Sequence, residues 1–162
     1  MSRSRSHSGS RASVIDALAE IPLLRGCSRR DLVMVDRCTT RVDLEPGATL
    51  CQEGRLGREA FLIVDGEADV VVGSVIVARL AAGDICGEMA LLDRTARTAT
   101  VTALTPMTVL AMSRGEFDTL VGSASSFTRR LLHTTAARLR DADRTIAEHA
   151  RDDAHPAPPI SI

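Results

Sequence analysis

The stretch GDICGEMALLDRTARTATVTA, residues 83–103, decides how this chain is read. It lies among short β-type runs, yet Gly87 is followed by Glu88, Met89, Ala90, Leu91 and Leu92, all residues that favour helix. One helical turn is therefore predicted inside a β region. The first amides of such a turn have no partner within the helix, and a preceding glycine lets an anion come close to them. Further on, strand alternation puts Arg97, Ala99, Val101 and Ala103 on one face and Thr98, Thr100 and Thr102 on the other. Arg97 then faces the apolar side, where a guanidinium is costly unless an anion meets it. Its planar fork suits a phosphate with two free oxygens. Glu88 would repel a bare phosphate, but it can accept a hydrogen bond from a sugar hydroxyl beside one. On the residues alone two readings stay open. Either a nucleotide with a single phosphate charge sits here, or Arg97 pairs internally with Glu88 or Asp93 and pins the turn.

Outward from this segment the pattern has period two, and turn residues recur at Pro46, Gly47, Gly54, Gly57, Gly66, Gly73 and Gly83. Strands are expected near residues 41–44, 49–52, 60–64, 68–72, 75–80, 97–103 and 109–112, with Gly73 and Ser74 closing a hairpin. Such spacing means an antiparallel sandwich, roll or barrel over residues 39–113. Before it, residues 13–38 read as a helical cap. Val14, Leu18 and Ile21 fall at helical spacing behind a Ser13 cap, and Ser28 opens a second helix carrying Leu32, Val33 and Val35. Residues 1–12 are Ser/Arg-rich with nothing to bury, and are expected to be a disordered tail.

Residues 115–150 return to helix, uninterrupted by Pro or Gly from Ser125 onward. Phe127, Leu131, Thr135, Leu139, Ala142 and Ile146 form one stripe, which either packs on the chain's own roll or pairs with a second copy. Pairing is adopted as the expectation because a helix this long outruns a small roll. Residues 151–162, with Pro156, Pro158 and Pro159, are expected to form a loose tail.

Composition narrows the function. The 162 residues suit one domain, here taken as 13–150, and 44% hydrophobic against 2% aromatic residues means a core of aliphatic side chains. All 20 basic residues are Arg, so Schiff-base and phosphate-loop lysine chemistry is excluded. A net charge of −1 argues against a general nucleic-acid binder. Cys27, Cys38, Cys51 and Cys86 form no CxxC pair, which together with the lack of a signal peptide or membrane span points to the cytoplasm. His133 and His149 have no second ligand at helical spacing, so no metal site is expected. No nucleophile, base and orienter can be assembled, and no enzyme is expected.

GEMALL followed by Arg97, Thr98, Ala99 and Thr100 resembles the phosphate-binding cassette of the cyclic-nucleotide-binding domain family, commonly G-E-[hydrophobic]-[A/G]-L, a short gap, then R-[A/S/T]-A. EPGATLCQEG (45–54), FLIVDGEADVVV (61–72) and LAAGDICGE (80–88) resemble that family's strands and glycines in the right order, and the likeness runs from about residue 21 to 150. The resemblance implies a mainly β fold: an eight-stranded antiparallel roll, jelly-roll-like, with short N-terminal helices and a long C-terminal helix. It implies that Glu88 takes the ribose 2′-hydroxyl and Arg97 the exocyclic phosphate oxygens. Amides near Gly87, Met89 and Ala90 would complete the phosphate shell. Thr98 would contact phosphate or base, and Val70, Val77 and Leu80 would line the base pocket.

Two departures qualify the match. Cys86 replaces an aromatic or aliphatic residue before the Gly-Glu pair; it is read as a small hydrophobe, with redox sensitivity as the alternative. RLRDADRTI (138–146) resembles the dimer helix of bacterial cAMP-receptor regulators, but Ala142 and Asp143 stand where a hydroxyl pair reads the adenine amine. Either Asp143 accepts from that amine or the base goes unread, and Arg138 is either a further lid contact or, as the favoured reading, a solvated helix arginine. The expected ligand is cAMP, or cGMP, with no cofactor. The expected partners are a second copy through the C-terminal helix and a protein effector. DNA binding by this chain is not expected, since the residues after 150 cannot hold a helix-turn-helix, and neither is a membrane. The competing function is a dimerising scaffold that binds no nucleotide.

Overall fold

The structure, a computed structural model, describes residues 11–152, excluding the side chains of Arg11, Ala142, Thr145, Ile146, His149, Ala150 and Asp152. Helices α1 (Arg11–Glu20) and α2 (Arg29–Arg37) flank a 3-10 turn at Pro22–Leu24. Eight strands follow: β1 (Thr40–Leu44), β2 (Thr49–Cys51), β3 (Glu59–Asp65), β4 (Ala68–Val72), β5 (Val75–Leu80), β6 (Ile85–Cys86), β7 (Thr100–Ala103) and β8 (Met107–Ser113). Helix α3 (Glu88–Leu92) interrupts the strand series between β6 and β7, and α4 (Arg114–Ser123) and α5 (Ser125–Asp152) close the chain. The strands make two four-stranded sheets, β1-β8-β3-β6 and β2-β7-β4-β5, with every pairing antiparallel. The expected eight-stranded roll with flanking helices and a long last helix is what the chain forms.

Sheet β1-β8-β3-β6 is covered on both faces, which explains why β3 reads as a nearly continuous apolar run. Ala60 and Leu62 join Leu24, Ile85, Met112, Phe117 and Phe127 under the helices. Phe61 and Ile63 point the other way, meeting Val42, Val101 and Val109 between the sheets. The second sheet shows its outer face to solvent, and in β5 only Leu80 is buried.

Local signals were read correctly in some places and missed in others. Ser28 caps α2, accepting from the Asp31 amide at 3.1 Å. Ser113 and Glu116 form a reciprocal capping box that starts α4. Helix α1 begins at Arg11, two residues ahead of the expected Ser13 start, and residues 1–10 of the expected tail lie outside the described part. Helix α5 runs on to Asp152, two residues into the other expected tail, and residues 153–162 lie outside the description.

The stripe on α5 divides. Phe127 and Leu131 are buried against the chain's own helices and β3–β6 region, whereas Leu139 is 62% exposed. The helix is thus core in its first turns and surface further along. Its start is fixed by a cap from far away in sequence. Asp31 on α2 accepts from the Ser126 amide at 2.8 Å and from the Ser126 hydroxyl, and that same hydroxyl accepts from the Ser28 amide at 3.1 Å.

Candidate functional site

The cassette forms as one short helix between strands. Gly87 adopts φ +83°, a left-handed conformation that reverses the chain after β6 and leads into α3. A Cβ there would come within 2.3 Å of Arg97 Nη1 and 2.9 Å of the Glu59 carbonyl oxygen, so the site needs the glycine for space as well as for conformation. Gly57 serves the same packing from a different loop: a Cβ on it would lie 2.6 Å from Ala90 Cβ and 3.2 Å from Arg97 Cζ. Sequence reasoning took Gly57 only as a turn residue. Its conformation is ordinary, so nothing in the local pattern marks its role.

Arg97 points inward and is 8% exposed. It does so from an irregular segment rather than from a strand, because β7 starts only at Thr100. The expected strand over residues 97–103 is therefore shorter, and alternation gave the right direction for the wrong reason. What aims the side chain is its backbone, which donates to the Arg55 carbonyl at 2.8 Å and whose carbonyl accepts from the Gly54 amide at 2.9 Å. The guanidinium donates to the carbonyl oxygens of Gly87 and Glu59, at 2.8 and 2.5 Å. These dipoles orient the cation from one side without neutralising it.

Glu88 is 4% exposed, and its ion pair is with Arg138 of α5, at 3.5 Å. Arg138 also meets Asp84 at 3.2 Å and donates to the Ile85 carbonyl. Burial pushes the Glu88 carboxyl above its ordinary value, with Arg138 and Arg97 pulling the other way. The internal pairing of Arg97 with Glu88 or Asp93 weighed from sequence is thus replaced by carbonyl contacts for Arg97 and a different arginine for Glu88. Asp84 was missed altogether, since its role depends on a helix that lies 54 positions later in sequence.

The remaining candidates are spread over α3, the segment after Arg97, the second sheet and α5. Met89 is exposed and Ala90 buried, both on α3, and Thr98 is exposed beside Arg97. Val70 and Leu80 are packed at the inner face of the second sheet. Val77 is 54% exposed, in a strand where only Leu80 is buried, and it is the extra residue of a β-bulge, since Val70 faces Ala78 while Val71 faces Ile76. Asp143 is exposed, and the Ala142 side chain is outside the description. On the other side of Arg138, a cleft of about 390 Å³ opens between the 3-10 turn and α5, walled by Pro22, Gly83, Asp84, Arg130, His133 and Arg138 among others. Neither Glu88 nor Arg97 lines it, so it is separate from the cassette. Among the described residues no cluster of three or more potential ligands could hold a metal, and no helix is long and apolar enough to cross a membrane.

Comparison with known proteins places this architecture. Residues 41–124 match the sequence profile of the family described as "Cyclic nucleotide-binding domain". The cAMP-dependent protein kinase regulatory subunit of Schizosaccharomyces pombe is 33% identical over 113 residues, covering 69% of this chain and 27% of that protein. Among solved structures, the catabolite activator protein of Thermus thermophilus superposes with a TM-score of 0.69 at 25% identity, over 80% of this chain and 63% of that one. The regulatory subunit of a cAMP-independent protein kinase A from Trypanosoma brucei does so with a TM-score of 0.66 at 25% identity, over 75% and 46%. These are regulatory or binding proteins, not catalysts, and the chain spans only 27% of the length of the first of them. With the profile covering more than half of its length and the roll, cassette and glycines all in place, the chain belongs to the cyclic nucleotide-binding domain family.

Proposed function

We propose that the chain is a cytoplasmic cyclic-nucleotide switch that takes cAMP in the cassette, with cGMP as the competing ligand. The observation that carries this reading is the buried Arg97 guanidinium, oriented by two carbonyls and left with its charge for a ligand to neutralise. In the proposed complex the exocyclic phosphate oxygens meet Arg97 and the amides near Gly87, Met89 and Ala90. The ribose 2′-hydroxyl donates to Glu88, Thr98 lies beside the phosphate, and Val70, Val77 and Leu80 face the base. Glu88 already holds Arg138, so an incoming ribose competes with α5 for one carboxylate. Ligand and helix position are thereby linked, which is the differential affinity a switch requires. The displaced helix, with Leu139 exposed, is the surface offered to a second copy or to a protein effector. Arg138, Ala142 and Asp143 are the residues on it that would meet the base.

A second reading keeps the domain as a dimerising scaffold without nucleotide. What favours it is that Arg97 and Glu88 both have partners within the free chain, and that one protein of this fold is described as the subunit of a cAMP-independent kinase. Calorimetry with cAMP and cGMP on the wild type and Arg97→Ala separates the two. Truncation of a buried, ligand-paired arginine is expected to cost ~2–5 kcal/mol of binding free energy. Equal affinities for both proteins, or no heat from either nucleotide with the wild type, would reject the switch.

A further inference from the structure

Charge is sorted along α5. Residues 125–140 carry Arg129, Arg130, Arg138 and Arg140 and no acid, whereas residues 141–152 carry Asp141, Asp143, Glu148 and Asp152 against Arg144 and Arg151. The arginine-rich half comes first, at the end where the helix dipole favours acids, so this order does not serve the helix itself. Nor does the domain use all of it. Arg138 binds Asp84 and Glu88, and Arg144 meets Asp141 at 3.9 Å, but among the described residues Arg129 and Asp143 have no ion pair within the chain. Exposed apolar surface lies on the same segment: Leu132 and Leu139 are 63% and 62% exposed, and Ala136 between them is exposed too. At about 100° per residue the two leucines stand nearly one above the other, with Arg129, Ala136 and Asp143 within about 60° on one side of that line. The stripe expected from the sequence ran instead through Leu131, which is core, and Thr135, which is half-buried. The free face therefore sits a step further round the helix.

We propose that this face pairs with the same face of a second copy, and that the two helices run antiparallel. In a parallel pair every residue of the face meets its own counterpart, so Asp143 would confront Asp143 across the seam and Arg129 would flank Arg129. Reversing one helix removes both like-charge contacts. With Leu132 against the partner's Leu139, and Leu139 against the partner's Leu132, Arg129 comes level with the partner's Asp143 to within about one residue's rise of 1.5 Å. The two-fold axis repeats that contact, so one register yields two leucine pairs and two ion pairs. Arg129 and Asp143 lie on the same side of the leucine line, as partners related by such an axis must, and Ala136 beside the axis lets the helices approach closely. Faces of this size make a reversible contact, and dilute chain keeps both leucines in solvent. The inference deepens the proposed function, from which it takes the second copy as the partner of α5, and it requires no bound nucleotide.

The test is disulfide cross-linking of the full chain without nucleotide. Leu132→Cys and Leu139→Cys are oxidised separately and as an equimolar mixture, and peptide mapping locates each link, so that bonds through the native cysteines are told apart. An antiparallel pair gives a link between positions 132 and 139 in the mixture, and no self-link at either position in the single variants. Self-links at 132 or 139 overturn the orientation, and no link at either position overturns the pairing. Sedimentation of charge variants reads the same register without new cysteines. Arg129→Asp and Asp143→Arg are each expected to weaken dimerisation about tenfold, because each turns two attractive contacts into repulsive ones, and the double swap is expected to restore it to within about threefold. Neither substitution adds a like-charge contact to a parallel pair, so unchanged dimerisation in both single variants overturns the antiparallel register. A wild type that stays monomeric up to about 1 mM overturns the dimer altogether. Calorimetry with cAMP and cGMP reads the cassette separately: no heat from either nucleotide, with the link between 132 and 139 formed, rejects the nucleotide switch and keeps the pairing.

Discussion

Asp31 beneath the start of α5 and Glu88 beside its middle are each 4% exposed, and each holds that helix to the domain, yet the two junctions are built differently. Asp31 collects neutral donors from one residue, the amide and hydroxyl of Ser126, and those hydrogen bonds carry its carboxyl below the ordinary range. Glu88 has a cation 3.5 Å away, and burial leaves its carboxyl above the ordinary range. In the turns of α5 that follow Ser126, Phe127 and Leu131 are fully packed; beyond Arg138 comes Leu139, in solvent. The difference teaches which contact is permanent. A carboxylate satisfied by short bonds from neutral donors fixes a helix end, while a desolvated carboxylate facing an arginine offers a contact that another partner can take over.

The largest effect expected from this contrast is in packing. Phe127→Ala should lower unfolding free energy by ~3–5 kcal/mol, as for other large core truncations, while Leu139→Ala should stay within ~0.5 kcal/mol. Urea titration of both variants checks this, and similar losses at the two positions would erase the distinction between core and surface halves of α5. Next come the junctions themselves. Asp31→Ala leaves the Ser126 donors without their acceptor and is expected to cost ~1–3 kcal/mol. Arg138→Ala, at a partly exposed ion pair, should cost about 1 kcal/mol or less in the same denaturation series.

The smallest effect lies in pH. Because the folded Glu88 carboxyl binds its proton more tightly than the unfolded chain does, acidification from neutral toward the ordinary glutamate value of 4.5 favours the folded state there. Asp31 acts in the opposite sense. Its contribution is complete above the ordinary aspartate value of 3.8 and is lost as pH falls through its depressed folded value. Thermal melts across this range should show Glu88→Gln losing the first trend and keeping the second, and Asp31→Asn doing the reverse. Identical pH profiles for the two variants would mean the acids are equivalent after all.

Much of the cassette was legible because its residues are neighbours in sequence. Gly87, the helix formers behind it and an inward Arg97 are a local pattern, and the strand boundaries followed from glycine spacing and alternation. What escaped was long-range. Asp31 and Ser126 are separated by 95 positions, and Arg138 reaches the Ile85 carbonyl across 53. No periodicity encodes such pairs. The two-residue strand β6 is too short to show alternation, and the bulge at Val77 depends on how two strands slip past each other rather than on the side chains of either. The roll was readable; the disposition of its charges in the free chain was not.

The close seat of Gly57 against Ala90 and Arg97 leaves no slack between the loop that carries it and the cassette. Any shift of α3 must drag that loop along like a gear tooth, and with it Leu56, which bridges to Ala96 and turns its side chain to solvent. Under the proposed function, occupancy of the cassette would therefore reach Leu56 as well as the long helix.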